Sequence, residues 1–122
     1  MKKRILVVED EGALRLLYEE ELKEEGYEVL TARNGREALS HLKEETPDLV
    51  ILDIRMPEMD GMEVFGRILS QGRKIRIIIN TAYSEYRQDL MTRGADAYVI
   101  KSADLKELKE KVREVLEGET SQ

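Results

Sequence analysis

Residues 49–53, with the sequence LVILD, place four consecutive aliphatic side chains directly before an aspartate. A short, continuous run of this kind is typical of a strand that is buried on both faces of a parallel sheet. Three other runs are mostly aliphatic, namely residues 5–8 (ILVV), 75–79 (IRIII, with one arginine near its start) and 97–100 (AYVI). A fifth run, residues 27–30 (YEVL), contains a charge and therefore predicts a strand at the edge of the sheet.

Helical patterns separate these runs and follow the last one. Apolar residues recur at helical spacing in four segments: Leu14, Leu17, Tyr18 and Leu22; Ala38, Leu39 and Leu42; Met62, Phe65, Ile68 and Leu69; Leu105, Leu108, Val112, Val115 and Leu116. Gly26 is predicted to end the first helix, and Asn34 and Asp60 are predicted to cap the second and third. Residues 84–93 have the weakest apolar face, so the fourth helix is expected to be the least stable.

Five strands that alternate with five helices predict an α/β domain with a parallel sheet and helices on both faces. A chain of 122 residues fits one domain. We assign residues 1–117 to that domain and residues 118–122 to a disordered tail or a linker stub.

No apolar run approaches the roughly 20 residues that span a bilayer, so we expect a cytoplasmic protein without a membrane segment. The net charge of −6 argues against direct binding of nucleic acid.

Polar residues follow the predicted central strands. They are Glu9, Asp10, Glu11, Asp53, Asn80, Thr81 and Lys101. Ligands of open α/β sheets bind outside the carboxyl ends of the strands, so these side chains are expected to meet at one edge. Clustered carboxylates suit Mg²⁺, an aspartate can form an acyl phosphate, and a hydroxyl and an ammonium can bind the transferred group. Each residue alone is more often a helix cap or a surface residue. Their joint occurrence favours a phosphoryl-transfer site.

Four segments resemble the signature segments of response-regulator receiver domains, in the same order and spacing. They are residues 7–11 (VVEDE), 48–61 (DLVILDIRMPEMDG), 80–82 (NTA) and 94–101 (GADAYVIK). The resemblance implies a flavodoxin-like (βα)5 fold with strand order 2-1-3-4-5. It also implies a phosphoacceptor of two-component signalling, which is not an enzyme and catalyses only its own phosphorylation and dephosphorylation.

The resemblance also implies a metal site. Asp10, Asp53 and the backbone carbonyl of Arg55 would bind Mg²⁺ directly, and Glu9 would act mainly through a water molecule. Asp53 would be the phosphoacceptor itself.

The remaining site residues would contact the phosphoryl group or respond to it. Lys101 would bind the group, and Thr81 would move towards it. Tyr98 would follow Thr81 inwards as the second switch residue. From the residues alone, Tyr98 is equally a strand aromatic that packs on a helix.

The implied partners are proteins. A histidine kinase or a phosphotransfer protein would supply the phosphoryl group, and a downstream protein or a removed output domain would receive the signal. The fourth helix, fifth strand and fifth helix would form the output surface, which could also support dimerisation.

Other protein classes fit less well. A flavodoxin-type cofactor protein needs a phosphate-binding loop after the first strand, where this chain is acidic. The P-loop motif is absent. A haloacid-dehalogenase-like phosphatase has its nucleophile after the first strand in an Asp-x-Asp pattern, which this chain lacks. The remaining alternative is a receiver-like interaction module that is never phosphorylated.

The chain departs from the receiver pattern directly after Lys101. Receiver domains usually have a proline there, typically after a cis bond, whereas this chain has Ser102. A cis bond costs about 2.5–4 kcal/mol before other residues, against roughly 0.5–1 before proline. We therefore predict a trans Lys101–Ser102 bond, with Ser102 as N-cap of the fifth helix and Asp104 in its first turn.

Overall fold

The computed structural model describes residues 2–55, 61–71 and 75–118. The strands in this part are β1 (Arg4–Val8), β2 (Glu28–Ala32), β3 (Leu49–Leu52), β4 (Arg76–Thr81) and β5 (Ala97–Ile100). The helices are α1 (Gly12–Glu24), α2 (Gly35–Glu44), α3 (Gly61–Ser70), α4 (Arg87–Arg93) and α5 (Lys106–Glu117). The five strands form one sheet of order β2-β1-β3-β4-β5 with parallel pairing throughout, so the predicted fold is confirmed.

Two apolar clusters cover the two faces of the sheet. The first joins the sheet to α1 and α5, through Tyr18 and Leu22 of α1 and Leu108 and Val112 of α5. The second joins the opposite face to α2, α3 and α4, where Phe65 is fully buried. Since successive side chains of a strand point to opposite faces, each strand contributes alternate residues to the two clusters.

Several elements differ in extent from the sequence expectation. Strand β4 runs from Arg76 to Thr81 rather than over residues 75–79, so Asn80 and Thr81 lie within the strand and not after it. The edge strand β2 runs from Glu28 to Ala32 rather than over residues 27–30, because its pairing follows β1 through Val8, which lies opposite Ala32. Helix α4 has only seven residues, and Leu90 is its one buried side chain. The weak apolar face predicted for residues 84–93 thus corresponds to a helix shorter than expected.

The predicted helix ends are partly confirmed. The side chain of Asn34 accepts a 2.8 Å hydrogen bond from the backbone N–H of Glu37, so Asn34 is the N-cap of α2. Gly26, with a φ of +101°, follows the end of α1. Asp60, predicted to cap α3, and residues 119–122 of the predicted tail lie outside the described residues. No helix in the described ranges is long and apolar enough to cross a bilayer.

The connection from β5 to α5 confirms one prediction and corrects another. The Lys101–Ser102 bond is trans, as expected. Ser102 is not the N-cap of α5, however, because the helix begins only at Lys106. The Ser102 hydroxyl instead accepts from the N–H of Asp104 at 3.2 Å, and Asp104 Oδ1 accepts from the N–H of Lys106 at 2.9 Å. Asp104 therefore precedes the helix, since these two short-range bonds hold residues 102–105 in a non-helical conformation.

Candidate functional site

Strand alternation assigns the site residues to two faces of the sheet. The backbone hydrogen bonds between neighbouring strands continue one residue past the ends of β1 and β3. The N–H of Glu9 donates to the Ala32 carbonyl at 3.0 Å, and the N–H of Asp53 donates to the Val8 carbonyl at 3.2 Å. Glu9 and Asp53 therefore follow strand positions on the α1 and α5 face. Thr81 follows Ile79 on the opposite face.

Glu9, Asp10 and Asp53 come together at the carboxyl edge of the sheet. One oxygen of each side chain lies within 4.8 Å of the others. Glu9 and Asp53 are buried, whereas Asp10 is exposed at the rim. Crowded carboxylates repel one another unless a cation lies among them, and carboxylate oxygen is the ligand that hard divalent cations prefer. The donor set therefore fits a divalent metal ion.

Lys101 supplies a cation to this cluster from the position directly after β5. Its Nζ atom lies 2.8 Å from Glu9 Oε1 and 2.8 Å from Asp53 Oδ2. Burial by itself would lower the pKa of Lys101, but the hydrogen bonds to Asp53 and Glu9 raise it above its usual range. Burial raises the pKa of Glu9, and the hydrogen bond from Lys101 opposes that shift. Lys101 is therefore charged at neutral pH and directly faces the predicted phosphoacceptor.

Backbone amides fix the two buried carboxylates. The N–H of Arg55 donates to Asp53 Oδ1 at 3.1 Å, and the N–H of Glu11 donates to Glu9 Oε2 at 3.1 Å. Each carboxylate thus has one oxygen held by the backbone and the other by Lys101. The two buried carboxylates are therefore held in fixed positions close to Asp10.

The two predicted switch residues lie on the other side of the sheet and are linked through Tyr83. Thr81 is buried, and its hydroxyl oxygen accepts from the N–H of Tyr83 at 3.4 Å. Tyr98 is also buried, and its hydroxyl donates to the carbonyl oxygen of the same Tyr83. The loop that follows Thr81 therefore contacts both residues.

Sequence reasoning missed Tyr83 and the side chain of Arg55. The Arg55 guanidinium lies 5.1 Å from the centroid of the Tyr83 ring and donates to the Tyr86 hydroxyl at 3.4 Å. It thereby connects the loop after β3 to the loop after β4.

Comparison with known proteins agrees with this geometry. The family model described as "Response regulator receiver domain" matches residues 5–113. The sporulation initiation phosphotransferase F of Bacillus subtilis is 38% identical over 118 residues, which cover 95% of both chains. The probable transcriptional regulator ycf27 of Porphyra purpurea is 42% identical over 117 residues, which are 94% of this chain and 48% of that protein. The chain therefore spans about half the length of that regulator.

Solved structures show the same relationship. The response regulator protein TrrA of Thermotoga maritima, in complex with Mg²⁺ and BeF, is 54% identical, with a TM-score of 0.87 over 93% of this chain and 99% of that one. TrrA in complex with the histidine kinase ThkA gives a TM-score of 0.84 at the same identity, over 93% of this chain and 98% of that one. Matched sequence, strand order and acidic site agree: the chain belongs to the response regulator receiver domain family, the phosphoacceptors of two-component signal transduction.

Proposed function

We propose that Asp53 receives a phosphoryl group from a histidine kinase or a phosphotransfer protein, in a Mg²⁺-dependent reaction that alters a partner-binding surface. The observation that carries this proposal is the convergence of Glu9, Asp10, Asp53 and Lys101 within one site. The complex of TrrA with ThkA supports a kinase as donor. The protein is a phosphoacceptor rather than an enzyme with a separate substrate, and we place it in the cytoplasm.

The metal would be held by the acidic cluster. Asp10 and Asp53 would bind it directly together with the backbone carbonyl of Arg55, and Glu9 would bind it mainly through water. When bound, Mg²⁺ neutralises charge on the carboxylates and on the phosphoryl oxygens. The structure of TrrA with Mg²⁺ and BeF supports this choice of metal.

The transfer itself uses a carboxylate oxygen of Asp53. That oxygen attacks phosphorus, an oxygen–phosphorus bond forms, and the bond from phosphorus to the donor atom breaks. The Lys101 ammonium, which already lies beside Asp53 Oδ2, then balances charge on the transferred group. The Thr81 hydroxyl would move to donate to another phosphoryl oxygen, and this movement would weaken the 3.4 Å bond that it accepts from the N–H of Tyr83.

The movement of Thr81 would reach the output surface through Tyr83 and Tyr98. Tyr98 donates to the carbonyl of Tyr83, whose N–H bonds to Thr81, so a shift of Thr81 disturbs the contact that holds Tyr98. The surface formed by α4, β5 and α5 would then bind a downstream protein, an output domain or a second copy. The ycf27 relative is about twice as long as this chain, which supports an attached output domain. The phosphotransferase of Bacillus subtilis is about the same length as this chain, which supports a separate protein as the downstream partner.

Removal of divalent metal is expected to stop phosphorylation and to lower thermal stability. With acetyl phosphate and Mg²⁺, intact-mass analysis should show one added phosphoryl group per chain, and chelation of the metal should abolish it. In the absence of phosphodonor, Mg²⁺ at ten times its dissociation constant should stabilise the fold by about 1.4 kcal/mol. Labelling that persists in chelator would contradict the metal-dependent proposal.

Amide exchange tests the switch. Beryllofluoride with Mg²⁺ is expected to change exchange rates within residues 82–100, because this range holds the loop after Thr81, the short helix α4 and Tyr98. Residues 28–32 of the edge strand β2 provide an internal control, since β2 and β5 are the two opposite edge strands of the sheet. Unchanged exchange in residues 82–100, at a beryllofluoride concentration that saturates the site, would contradict the switch.

The same mass measurement separates this proposal from its alternative, a receiver-like interaction module that is never phosphorylated. Such a module has no need of a lysine held at 2.8 Å from a buried aspartate beside two further carboxylates. No added mass under any tested phosphodonor would favour the module.

A further inference from the structure

One carboxylate of the acidic cluster, that of Asp10, lacks the contacts that hold the other two. The carboxylates of Glu9 and Asp53 each accept a hydrogen bond from a backbone N–H and each contact the Lys101 ammonium. The Asp10 carboxylate accepts no hydrogen bond from any described residue, and Asp10 is exposed at the rim. Its position therefore depends on the backbone that carries it.

The backbone around Asp10 is held by the side chain of Arg15, near the start of α1. Arg15 Nη1 donates to the carbonyl oxygen of Glu9 at 3.0 Å and to that of Asp10 at the longer distance of 3.4 Å. Side chains of a helix tilt towards its N-terminus, so an arginine at this position can reach the loop before the helix. A Cβ atom placed on Gly12 would lie 3.6 Å from Arg15 Nη2, so the guanidinium lies along the first turn.

These two carbonyl bonds hold both peptide groups that flank Asp10. The Glu9 carbonyl belongs to the peptide group before Asp10, and the Asp10 carbonyl belongs to the one after it. Each peptide group is planar, so fixing its carbonyl also restricts the dihedral angles on either side. The direction in which the Asp10 side chain leaves the backbone is thereby restricted, and one of its oxygens lies within 4.8 Å of the other two carboxylates.

An ion pair does not account for the position of the guanidinium. In the part of the chain that the structure describes, Arg15 forms no ion pair with a carboxylate. The N-terminal end of a helix carries a partial positive charge, so the helix dipole also disfavours a cation there. The hydrogen bonds to the two carbonyls therefore account for the conformation in which Arg15 lies over this end of α1.

We propose that Arg15 positions the loop between β1 and α1 for binding of the divalent metal ion, and thereby sets the affinity of the site for Mg²⁺. The proposal rests on the proposed function, in which Asp10 is a metal ligand. Groups that orient metal ligands without contacting the metal typically change metal affinity by about 10- to 100-fold. Arg15 is a positioning residue, because its guanidinium binds the backbone of the loop rather than the metal or the phosphoryl group.

Arg15→Lys and Arg15→Gln test this role through Mg²⁺ binding. Lysine keeps the positive charge but lacks the planar group that reaches both carbonyls, so the dissociation constant for Mg²⁺ should rise roughly 10-fold. Arg15→Gln should also bind Mg²⁺ more weakly than the parent. Charge alone predicts the opposite for glutamine, because removing a cation near the site would strengthen the binding of another cation. Amide chemical shifts recorded during a titration with MgCl₂ give each dissociation constant without any phosphorylation.

Lys23→Gln is the matched control for the change of charge. It removes one positive charge from the other end of α1, where Lys23 pairs with Glu19 at 2.9 Å. This variant should bind Mg²⁺ like the parent. The shifts are read from the folded form, so a less stable Arg15 variant cannot imitate a weaker site.

The outcomes separate the two proposals. At saturating Mg²⁺ both Arg15 variants should be phosphorylated by acetyl phosphate at close to the parental rate, because Asp53 and Lys101 are unchanged. A parent that binds no Mg²⁺ would overturn the metal-dependent function. A parent that binds Mg²⁺ with an Arg15→Lys variant of equal affinity would overturn only the positioning role, and tighter binding by Arg15→Gln would do the same.

Discussion

Asp53→Asn is expected to abolish phosphorylation of the chain by acetyl phosphate in the presence of Mg²⁺. Asparagine keeps the shape of the side chain, and its single oxygen can still accept the N–H of Arg55. The neutral amide is not a nucleophile towards phosphorus, so no acyl phosphate forms. Intact-mass analysis of the variant should show the unmodified chain at times when the parent is fully labelled.

Asp48→Asn is the matched control for this experiment. Asp48 lies directly before β3 and Asp53 lies directly after it, so the two aspartates are at opposite ends of the same strand. Asp48 Oδ2 accepts from the N–H of Arg4 at 2.8 Å, a bond that an asparagine oxygen can also make. The control should be labelled like the parent, and labelling of Asp53→Asn at the same level would refute the assignment of the phosphoacceptor.

Gly61→Ala is expected to destabilise the fold and to impair the site together. A Cβ atom at Gly61 would overlap the carbonyl oxygen of Asp53 and would lie 2.5 Å from the Cα atom of Ile54. Both are backbone atoms, so no change of rotamer can relieve the overlap. Overpacking of this kind costs about 1–3 kcal/mol or more, and here relief requires a shift of the backbone that carries Asp53. Urea unfolding and the phosphorylation rate should therefore both be affected.

Gly66→Ala is the control within the same helix. A Cβ atom at Gly66 meets nothing within 4 Å, and the residue lies inside α3. Alanine in place of glycine inside a helix stabilises by roughly 0.5–1 kcal/mol. Gly66→Ala should thus be slightly more stable than the parent and react at its rate. Equal unfolding midpoints for Gly61→Ala and Gly66→Ala would show that the contact with Asp53 can be relieved without strain.

Local sequence determined the elements of this protein. Aliphatic runs such as residues 49–52 predict buried strands because burial on both faces requires apolar side chains at consecutive positions. The cap at Asn34 was equally predictable, since its bond to Glu37 spans only three residues. The acidic cluster followed once the strands were taken as parallel, because their carboxyl ends then share one edge. The strand order itself came from the resemblance to receiver domains.

The prediction from local sequence was wrong at the start of α5, where two neighbouring residues have similar preferences for capping a helix. Ser102 and Asp104 are both residue types that cap helices, and the sequence favoured Ser102 as the cap of α5. In the structure their side chains bond to the chain two residues further on, and α5 begins at Lys106. The packing of Leu108 and Val112 against the sheet does not require an earlier start, so these short-range bonds decide the boundary.

What the sequence by itself determined, then, is which residues stand at the ends of the strands. Tertiary structure decided how those residues meet. Lys101 bonds to Asp53 across 48 positions of the chain, and the Tyr98 hydroxyl donates to the Tyr83 carbonyl across 15. Gly61 is required to be small only because the backbone of Asp53 passes against it. Such contacts have no local signal, because side-chain periodicity specifies the face on which a residue lies, whereas packing between distant elements fixes which atoms approach one another.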